Sequence, residues 1–354
     1  MTSMTTTTTT IAKICVTGGV DTHGRTHHAA VLDHLGRQLG DREFPASPAG
    51  YAALLAWLRG FGELDRVGVE GTGTYGAGLA RRLRAAGVVV VEVDRTDRRA
   101  RRAKGKSDPL DAYAAARAAL SGAASTIPKR RDGQVEAIRA LRVARSSAVK
   151  ARSQATNQIK ALLVTGPEQL REQLRHLSTT AMIATCAKLR PGADHADAEQ
   201  ATKLALRRLA RRHQHLTTEI READHDLDQL IGQAAPTLLA LPGVGTEVAG
   251  QLLTTAGDNP ERIVSEAAFA HLCGAAPIPA SSGRTHRHRL NRGGDRNANR
   301  ALYVVVLGRL RYDPRTRAYV ERRTHEGLSK PEIIRCLKRY VAREIYQALP
   351  AATG

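Results

Sequence analysis

Four carboxylates in the first third of the chain have the types and spacing of a divalent metal site. Asp21 ends the apolar run KICVTGGVD, Glu70 ends VGVE, and Asp108 and Asp111 lie in KSDPLDAYAAA. Pro109 suits the first turn of a helix, and a spacing of three residues puts Asp108 and Asp111 on one helical face. Carboxylate oxygens suit Mg²⁺, which completes its shell with water and phosphate oxygens. The acids therefore indicate Mg²⁺-assisted chemistry at phosphorus.

Each acid on its own also has a purely structural explanation. Asp21 could begin a turn, Glu70 could be an ordinary surface acid, and Asp108 could cap a helix. The combination is more specific: one acid follows the first strand, one follows the next parallel strand, and a pair lies on a following helix. That order is an RNase H-like pattern, and it predicts that the four acids act together in one metal site.

A second polar segment, PASSGRTHRHRLNRGGDRNANRAL, contains two adjacent serines, Ser281 and Ser282, followed by Gly283. A serine hydroxyl is a weak nucleophile unless a base, a metal or positive charge helps to remove its proton. The arginines of the segment could position a phosphate under attack; they are Arg284, Arg287, Arg289, Arg292, Arg296 and Arg300. His286 and His288 are interpreted as further phosphate contacts, with metal ligation as the alternative. From the residues alone, a Ser-Ser-Gly turn is the more common explanation.

Two other segments favour contacts with nucleic acid. The basic run RTDRRARRAKGK, residues 95–106, leads into the Asp108 helix, and a nucleic-acid groove is favoured there over a merely solvated face. Its predicted contacts are Arg98, Arg99, Arg101, Arg102, Lys104 and Lys106. The segment PTLLALPGVGTEVAGQLL has the pattern of a helix-hairpin-helix, in which Gly243 and Gly245 would let backbone amides face a phosphate. A rigid packing corner is the alternative for this hairpin.

The composition favours a polyanionic partner. The chain of 354 residues has 54 basic and 34 acidic residues, a formal net charge of +20 and only 3% aromatic residues. Phosphate contacts are therefore favoured over base stacking. The four cysteines form no CxxC pair, which argues against a zinc ribbon or a disulfide framework and suits a reducing compartment. No signal peptide or membrane span is predicted, so we expect a soluble, cytoplasmic protein.

A sheet must position the carboxylates. Residues 13–44 predict three strands, and RVGVEG and VVVVEVD predict two more, with helices at residues 48–60 and 74–87 between them. A hairpin followed by strands that alternate with helices indicates a mixed α/β sheet. We therefore predict an RNase H-like (RuvC-like) metal-binding domain at residues 13–125. A disordered tail is expected at residues 1–12, with Met4 as an alternative start.

Two long helices with coiled-coil periodicity are predicted at residues 134–232. The seam of the second helix consists of Leu206, Leu209, His213, Leu216, Ile220, Ala223, Leu227 and Leu230. The seam of the first helix uses mostly small residues: Leu141, Ala144, Ala148, Ala151, Ala155, Gln158 and Leu162. The helices could pair within one chain or between protomers. A mainly α C-terminal domain with the helix-hairpin-helix is predicted at residues 236–350, with helices near 298–312 and 330–349.

The three acid-bearing motifs resemble a known family. VDTHGRTHHAAVLD, VGVEGTGTYGAGLARRL and KSDPLDAYAAA look like the three segments of the DEDD transposases, insertion-sequence recombinases with a RuvC-like N-terminal domain. The resemblance continues through LPGVGTEVAGQLL to PIPASSGRTHRHRLNRGGDRNANRAL. It implies that the metal ligands are Asp21, Glu70, Asp108 and Asp111. It also implies that Ser282, the serine before Gly283, is the nucleophile that forms a transient phosphoserine link, with Ser281 as the alternative.

The resemblance further implies partners for the protein. They are donor and target DNA, a guide (bridge) RNA that supplies sequence choice, and other copies of the chain in a dimer or tetramer that shares sites between protomers. Two other functions stay open. One is a metal-dependent, structure-specific nuclease such as a junction resolvase, in which the serine is incidental. The other is a noncatalytic nucleic-acid-binding protein descended from such enzymes.

Overall fold

The computed structural model describes residues 14–94, 107–284 and 288–350. The predicted tail at residues 1–12 and the basic run at residues 95–106 lie outside the described residues. The chain divides into two compact units. The first contains the chain up to Asp132 and also Gly257–Val264, and the second contains Gly133–Ala256 and the chain from Ser265 onward. Within the described ranges, no helix has both the length and the apolar character needed to cross a bilayer.

The first unit is built on a five-stranded mixed sheet. Its strands are β1 (Cys15–Thr22), β2 (Thr26–Asp33), β3 (Gln38–Pro45), β4 (Glu63–Glu70) and β5 (Val89–Val93). They lie in the order β3-β2-β1-β4-β5. β2 is antiparallel to both β1 and β3, whereas β1, β4 and β5 are parallel. The predicted mixed α/β sheet is confirmed, and its central strand β1 is buried almost throughout because both of its faces are covered.

Helices cover both faces of the sheet. α1 (Pro48–Arg59) and α2 (Ala77–Ala85) pack on one face, and α3 (Asp108–Leu120) packs on the other. The Ser47 Oγ atom caps α1 by accepting a hydrogen bond from the Gly50 amide at 3.2 Å. Leu54 and Leu58 of α1 are fully buried against the sheet. The α3 face is the one that carries the candidate site.

α3 approaches β1 and β4 more closely than any side chain would permit. A β-carbon at Gly19 of β1 would lie 2.2 Å from both the Ala112 carbonyl oxygen and the Ala116 amide nitrogen. A β-carbon at Gly68 of β4 would lie 2.5 Å from the Ala115 carbonyl oxygen. Only glycine is compatible with such backbone contacts. The two glycines and the three small alanines therefore set the position of α3 on the sheet.

His27 of β2 is a buried titratable group on the face covered by α1. Its ring stacks on Tyr51 with the ring centroids 5.4 Å apart, and Nδ1 lies 3.0 Å from the Thr26 carbonyl oxygen. Nε2 is buried without a hydrogen-bond partner among the described residues. Burial lowers the pKa of His27 below its ordinary value, and nearby His23 lowers it further. The fold therefore accommodates the neutral ring.

Two long helices form the scaffold of the second unit. α4 (Gln134–Thr165) and α7 (Ala198–Ala234) are joined by α5 (Glu168–Leu174) and α6 (Thr179–Lys188). Arg145 of α4 pairs with Asp224 of α7. Gln134, at the start of α4, donates to the Leu230 carbonyl oxygen near the end of α7. The two helices are therefore antiparallel and pair within one chain.

The predicted seam holds for α7 but is wrong at two positions of α4. Every predicted seam residue of α7 is buried or half-buried. In α4, Ala144 and Gln158 are exposed, while the neighbouring Arg145 and Ile159 are directed at α7. Small residues recur at several registers of α4, so the pattern did not define one face. The large aliphatic side chain of Ile159 and the Arg145 ion pair select the observed face.

Shorter elements complete the second unit. Its helices are α8 (Pro236–Leu239), α9 (Thr246–Ala256), α10 (Glu266–Leu272), α11 (Arg296–Tyr312), α12 (Pro314–His325) and α13 (Lys330–Ala348). A short hairpin of β6 (Ile278–Pro279) and β7 (His288–Arg289) precedes α11. A 3₁₀ turn, Pro260–Arg262, belongs to the first unit. The helices predicted near 298–312 and 330–349 are confirmed, whereas α10, α12 and the hairpin were not predicted.

Gly19→Ala is expected to destabilise the first unit by about 1–3 kcal/mol or more, because the added methyl group would meet backbone atoms of α3. Gly18→Ala is the matched control, since its β-carbon would meet only side-chain atoms of Leu58 and Val67 at 3.2 Å, and these can adjust. Urea unfolding followed by the fluorescence of Trp57, the single tryptophan, measures both variants. Equal losses in the two variants would contradict the close-approach argument.

The free energy of unfolding of the first unit is expected to fall as the pH drops below about 6.5, the ordinary pKa of histidine. Below that pH, the histidine at position 27 is protonated in the unfolded chain. In the folded protein the pKa of buried His27 is lowered, so its ring takes up a proton only at a lower pH. His27→Phe retains a ring against Tyr51 and should reduce the loss of stability between about pH 7.5 and pH 5.5. Urea unfolding of both proteins at each pH tests this, and an unchanged pH dependence in the variant would assign the effect to other groups.

Candidate metal centre and serine loop

Asp21 and Glu70 lie at the same edge of the sheet. β1 and β4 are parallel and Val20 pairs with Val69, so the two acids are the next residues on neighbouring strands. Asp21 is 6% exposed and Glu70 is half-buried. The Thr22 Oγ1 atom donates to the Glu70 backbone carbonyl at 2.8 Å and links the two strand ends. The strand register therefore places both acids at the carboxyl edge.

Both acidic side chains point to the α3 face of the sheet. Gly19 and Gly68 face α3 through their backbone contacts. Side chains two residues further along a strand point to the same face, so Asp21 and Glu70 face the helix that carries the other two acids. The glycine contacts also fix the position of α3 along the direction of the strands. They therefore fix the position of its first turn.

The acid pair lies in the first turn of α3. Ser107 is the N-cap residue and has an extended backbone, so the alternative in which Asp108 caps the helix is wrong. Asp108 is half-buried and Asp111 is 5% exposed. The Asp111 amide donates to the Ser107 carbonyl oxygen at 3.1 Å. Carboxylates are favourable at a helix N-terminus because the peptide dipoles present partial positive charge there.

The structure brings Asp21 and Asp108 together with a residue that the sequence pattern did not single out. Ligand atoms of Asp21, His23 and Asp108 all lie within 4.8 Å of one another. The His23 Nδ1 atom is 3.6 Å from Asp21 Oδ2. The His23 amide donates to the Thr26 carbonyl oxygen at 3.0 Å, which fixes the start of the β1–β2 turn. The only signal in the sequence was a histidine two residues after a predicted ligand.

This group of three residues fits a divalent cation. Carboxylate oxygens suit Mg²⁺, and the combination with an imidazole nitrogen also suits transition metals such as Mn²⁺. Among the described residues, Asp21, His23 and Asp108 form the group of possible ligands whose atoms lie within 4.8 Å of one another. Glu70 and Asp111 do not belong to this group. Those two acids stay predicted ligands, one on the same face of the sheet and one in the same helical turn.

The serine pair lies in the connection between β6 and β7. Ser281 and Ser282 are both exposed. Gly283 has a left-handed backbone, with φ +55°, and open space around it. The turn that the Ser-Ser-Gly sequence favours is therefore present, and it leaves both serines at the surface of the second unit.

The backbone beside this connection is fixed by polar and close contacts. The Asn299 Nδ2 atom donates to the carbonyl oxygens of Cys273 and Gly274 at 3.0 and 2.9 Å. A β-carbon at Gly294 would lie 2.2 Å from the Gly274 amide nitrogen, so the two backbones touch. Asp295, the next residue, caps α11 with its side chain. The chain that follows β7 thus enters α11 in one defined path.

The predicted basic contacts are at the surface wherever the structure describes them. The exposed arginines are Arg284, Arg289, Arg292, Arg296 and Arg300. The residues outside the described ranges are Arg98, Arg99, Arg101, Arg102, Lys104, Lys106, His286 and Arg287. Exposed guanidinium groups are available for bidentate contacts with phosphate. His288 is also exposed, in β7.

The LPGVG hairpin between α8 and α9 packs against α11. Gly243 has φ +77°, and a β-carbon there would lie 3.1 Å from Tyr312 Oη. Arg309 is buried, and its Nε donates to the Pro242 carbonyl oxygen at 2.9 Å. Gly245 has no atom within 4 Å of its β-carbon position. Packing explains Gly243, while Gly245 stays a predicted phosphate contact.

Two family models match the chain. A transposase model, that of the DEDD transposases of IS110, matches residues 18–166, which include the four predicted metal ligands. The model described as "Transposase IS116/IS110/IS902 family" matches residues 235–321, which include both serines and the arginines around them. The segment between the two matches, residues 167–234, contains α5, α6 and α7, whereas α4 lies within the first match.

Three proteins of insertion elements are similar over part of their length. An uncharacterized 42 kDa protein of IS900 from Mycobacterium paratuberculosis is 29% identical over 40% of this chain and 36% of its own. An uncharacterized 43.6 kDa protein of IS110 from Streptomyces coelicolor is 33% identical over 30% of this chain and 26% of its own. The transposase for IS1328 from Yersinia enterocolitica is 28% identical over 58% of this chain and 60% of its own. In each case the chain covers less than two thirds of the relative.

Mn²⁺ affinity is expected to fall on the order of tenfold or more in Asp108→Asn, because the variant loses one of two carboxylate charges in the group of three. His23→Gln should weaken Mn²⁺ more than Mg²⁺, since imidazole nitrogen favours transition metals. Calorimetric titration of each ion measures both effects. Asp65→Asn, at the opposite end of β4, is the control. Unchanged Mn²⁺ affinity in Asp108→Asn would rule out this cluster as the site.

Proposed function

The chain belongs to the DEDD transposases of the IS110 family, and we propose that it is a DNA transposase whose carboxylate site and serine loop act in the same strand transfer. One observation carries the first half of the proposal: Asp21 and Asp108 are brought together with His23 at the carboxyl edge of parallel strands. The second half rests on the family match over the serine loop. The RNase H-like assignment of the sheet is part of the proposal, and the strand order β3-β2-β1-β4-β5 supports it.

Mg²⁺ is the cation that we propose for the site. The residues that would hold it are Asp21 and Asp108, with Glu70 and Asp111 as further ligands from the same face and helical turn. A divalent cation supplies neutralisation of charge on phosphate oxygens and lowers the pKa of a bound hydroxyl. The buried Asp21 and the helix start set the position of the ligands before substrate arrives, so little reorganisation is required on binding.

Ser282 is proposed as the nucleophile, with Ser281 as the alternative. Its Oγ atom forms a bond to phosphorus, the bond from phosphorus to one sugar oxygen breaks, and the serine proton ends on that oxygen. One phosphodiester is exchanged for another, so no external energy source is required for rejoining. The exposed arginines of the loop would neutralise the phosphate during this exchange. Surface exposure of Ser282 is consistent with access by a large substrate.

Donor and target DNA are the proposed substrates, and a guide RNA is the proposed source of sequence choice. The net charge of +20 supports binding to polyanions. A dimer or tetramer is proposed from the family alone. The heptad seam adds no support to it, because α4 and α7 use that seam within one chain.

The experiment that tests the proposal traps the protein on DNA. The purified protein with its co-purifying RNA is mixed with Mg²⁺ and labelled DNA from the borders of its own genomic element, and adducts are separated under denaturing conditions. We expect a covalent protein–DNA adduct that is lost in Ser282→Ala and in Asp21→Asn and kept in Ser281→Ala. Loss of the adduct in Ser281→Ala alone would move the nucleophile to Ser281.

The two rival functions give different results in the same assay. A structure-specific nuclease would cut DNA without an adduct, and Ser282→Ala would remain active. A noncatalytic binding protein would give neither cleavage nor adduct, and Asp21→Asn would bind DNA like the unmodified chain. Either pattern would overturn the proposal.

A further inference from the structure

Arg131 has a backbone conformation that side chains rarely adopt. Its φ of +56° lies in the left-handed region, and it is the one non-glycine residue with a positive φ among those that the structure describes. Residues other than glycine, asparagine and aspartate are uncommon there. Such a conformation persists only where the surroundings impose it, and it is a reason to ask what the residue does.

Two arginines of α2 hold the segment around Arg131. Arg84 donates from Nη1 to the Lys129 carbonyl oxygen at 3.3 Å and from Nη2 to the Arg130 carbonyl oxygen at 2.6 Å. Arg81, one turn nearer the N-terminus of α2, donates to the Arg131 carbonyl oxygen at 3.2 Å. The segment therefore runs along α2 towards the carboxyl edge of the sheet, where that helix begins.

Asn259 holds the same segment from the other side. Its Nδ2 atom donates to the Pro128 carbonyl oxygen at 3.1 Å, and its Oδ1 atom accepts from the Arg130 amide at 3.1 Å. Asn259 is itself buried. Five hydrogen bonds from three side chains thus fix the backbone from 128 to 131, and the unusual conformation of Arg131 is imposed by them.

The Arg131 side chain reaches the turn that follows Glu70. A β-carbon at Gly73 would lie 3.3 Å from Arg131 Nη2, and Gly73 is three residues beyond Glu70 in the connection to α2. The turn is tight there, because Gly71 has φ +69°. A side chain at position 73 would crowd the guanidinium group, so glycine leaves it room at this edge.

The Arg131 guanidinium differs from its neighbours in its partners. Arg130 pairs with Glu261 at 3.8 Å, and Asp132 pairs with Arg84 at 4.0 Å. No carboxylate among the described residues forms an ion pair with Arg131, which is half-buried. A planar guanidinium held at the turn after Glu70, at the carboxyl edge of the sheet, is suited to bidentate contact with a phosphate.

We propose that Arg131 is a phosphate-binding residue of the carboxylate site, which holds the DNA backbone beside Glu70. The inference rests on the proposed function, because the site must act on DNA. The hydrogen-bonded backbone of residues 128–131 places the Arg131 guanidinium near the turn after Glu70 before DNA binds. Asp21 and Asp108 would hold the cation. Arg131 would thus orient the phosphodiester, and it takes no part in proton transfer.

The experiment compares Arg131→Gly, Arg131→Lys and Arg131→Gln, with Arg130→Gln as the matched control. Arg131→Gly is the decisive variant because glycine accepts the left-handed backbone and removes only the side chain. We expect it to be at least as stable as the parent in urea unfolding, yet to weaken the binding of a fluorescein-labelled DNA duplex on the order of tenfold, as for one lost charge-assisted contact. Arg131→Lys should restore part of the affinity, Arg131→Gln should not, and Arg130→Gln should bind like the parent.

Two outcomes would overturn the inference. The first is normal DNA affinity in Arg131→Gly, and the second is equal affinity in the lysine and glutamine variants. Binding is measured by fluorescence anisotropy without any cleavage step. The result for Arg131 therefore does not depend on whether the protein cleaves or joins DNA. An absence of covalent adduct with the unmodified chain would count against the transposase proposal, while the Arg131 comparison would still be decided by the anisotropy.

Discussion

The contact between α3 and the sheet is the constraint on which the first unit depends. Backbone meets backbone at Gly19 and Gly68, and no side chain separates the helix from the strands. A helix seated in this way cannot slide or rotate without a clash, whereas one held by long aliphatic side chains could adjust. The rigidity matters because Asp108 and Asp111 are on the helix and Asp21 and Glu70 are on the strands. Close packing therefore determines the geometry of the acids.

In the second unit, side-chain hydrogen bonds fix the position of the chain, in addition to close backbone contacts. Polar side chains bind backbone carbonyls at the points where the chain turns: Asn299 holds Cys273 and Gly274, and buried Arg309 holds Pro242. Each such bond ties a backbone carbonyl of a neighbouring segment to a side-chain donor of α11. The exposed arginines are thereby attached to a defined backbone. A basic surface on a fixed frame can bind phosphates in a specific arrangement, which an equally charged flexible segment cannot.

A residue could be placed from the sequence where its side-chain chemistry is distinctive and its position follows from the periodicity of a strand or helix. The acids at the strand ends could be predicted because strand periodicity is strong and the carboxyl ends of parallel strands meet. His23 could not, because a histidine in a turn has no periodic signal and its proximity to Asp108 depends on the helix position. Ala144 and Gln158 were assigned to the wrong face for a related reason: small residues do not distinguish one helical register from another. Arg131 carried no sequence signal at all, since positive charges are abundant in this chain and its backbone conformation is imposed by residues 81, 84 and 259.

One feature of the connectivity bears on how the protein is made. Residues 257–264 belong to the first unit although they follow the long helical scaffold of the second. Asn259, which holds Pro128 and Arg130, is synthesised more than a hundred residues after them. During translation the sheet and α3 can assemble early, but the segment with Arg131 lacks one of its anchors until the ribosome has passed this point. The part of the first unit around Arg131 is therefore completed late, after both long helices of the second unit have been translated.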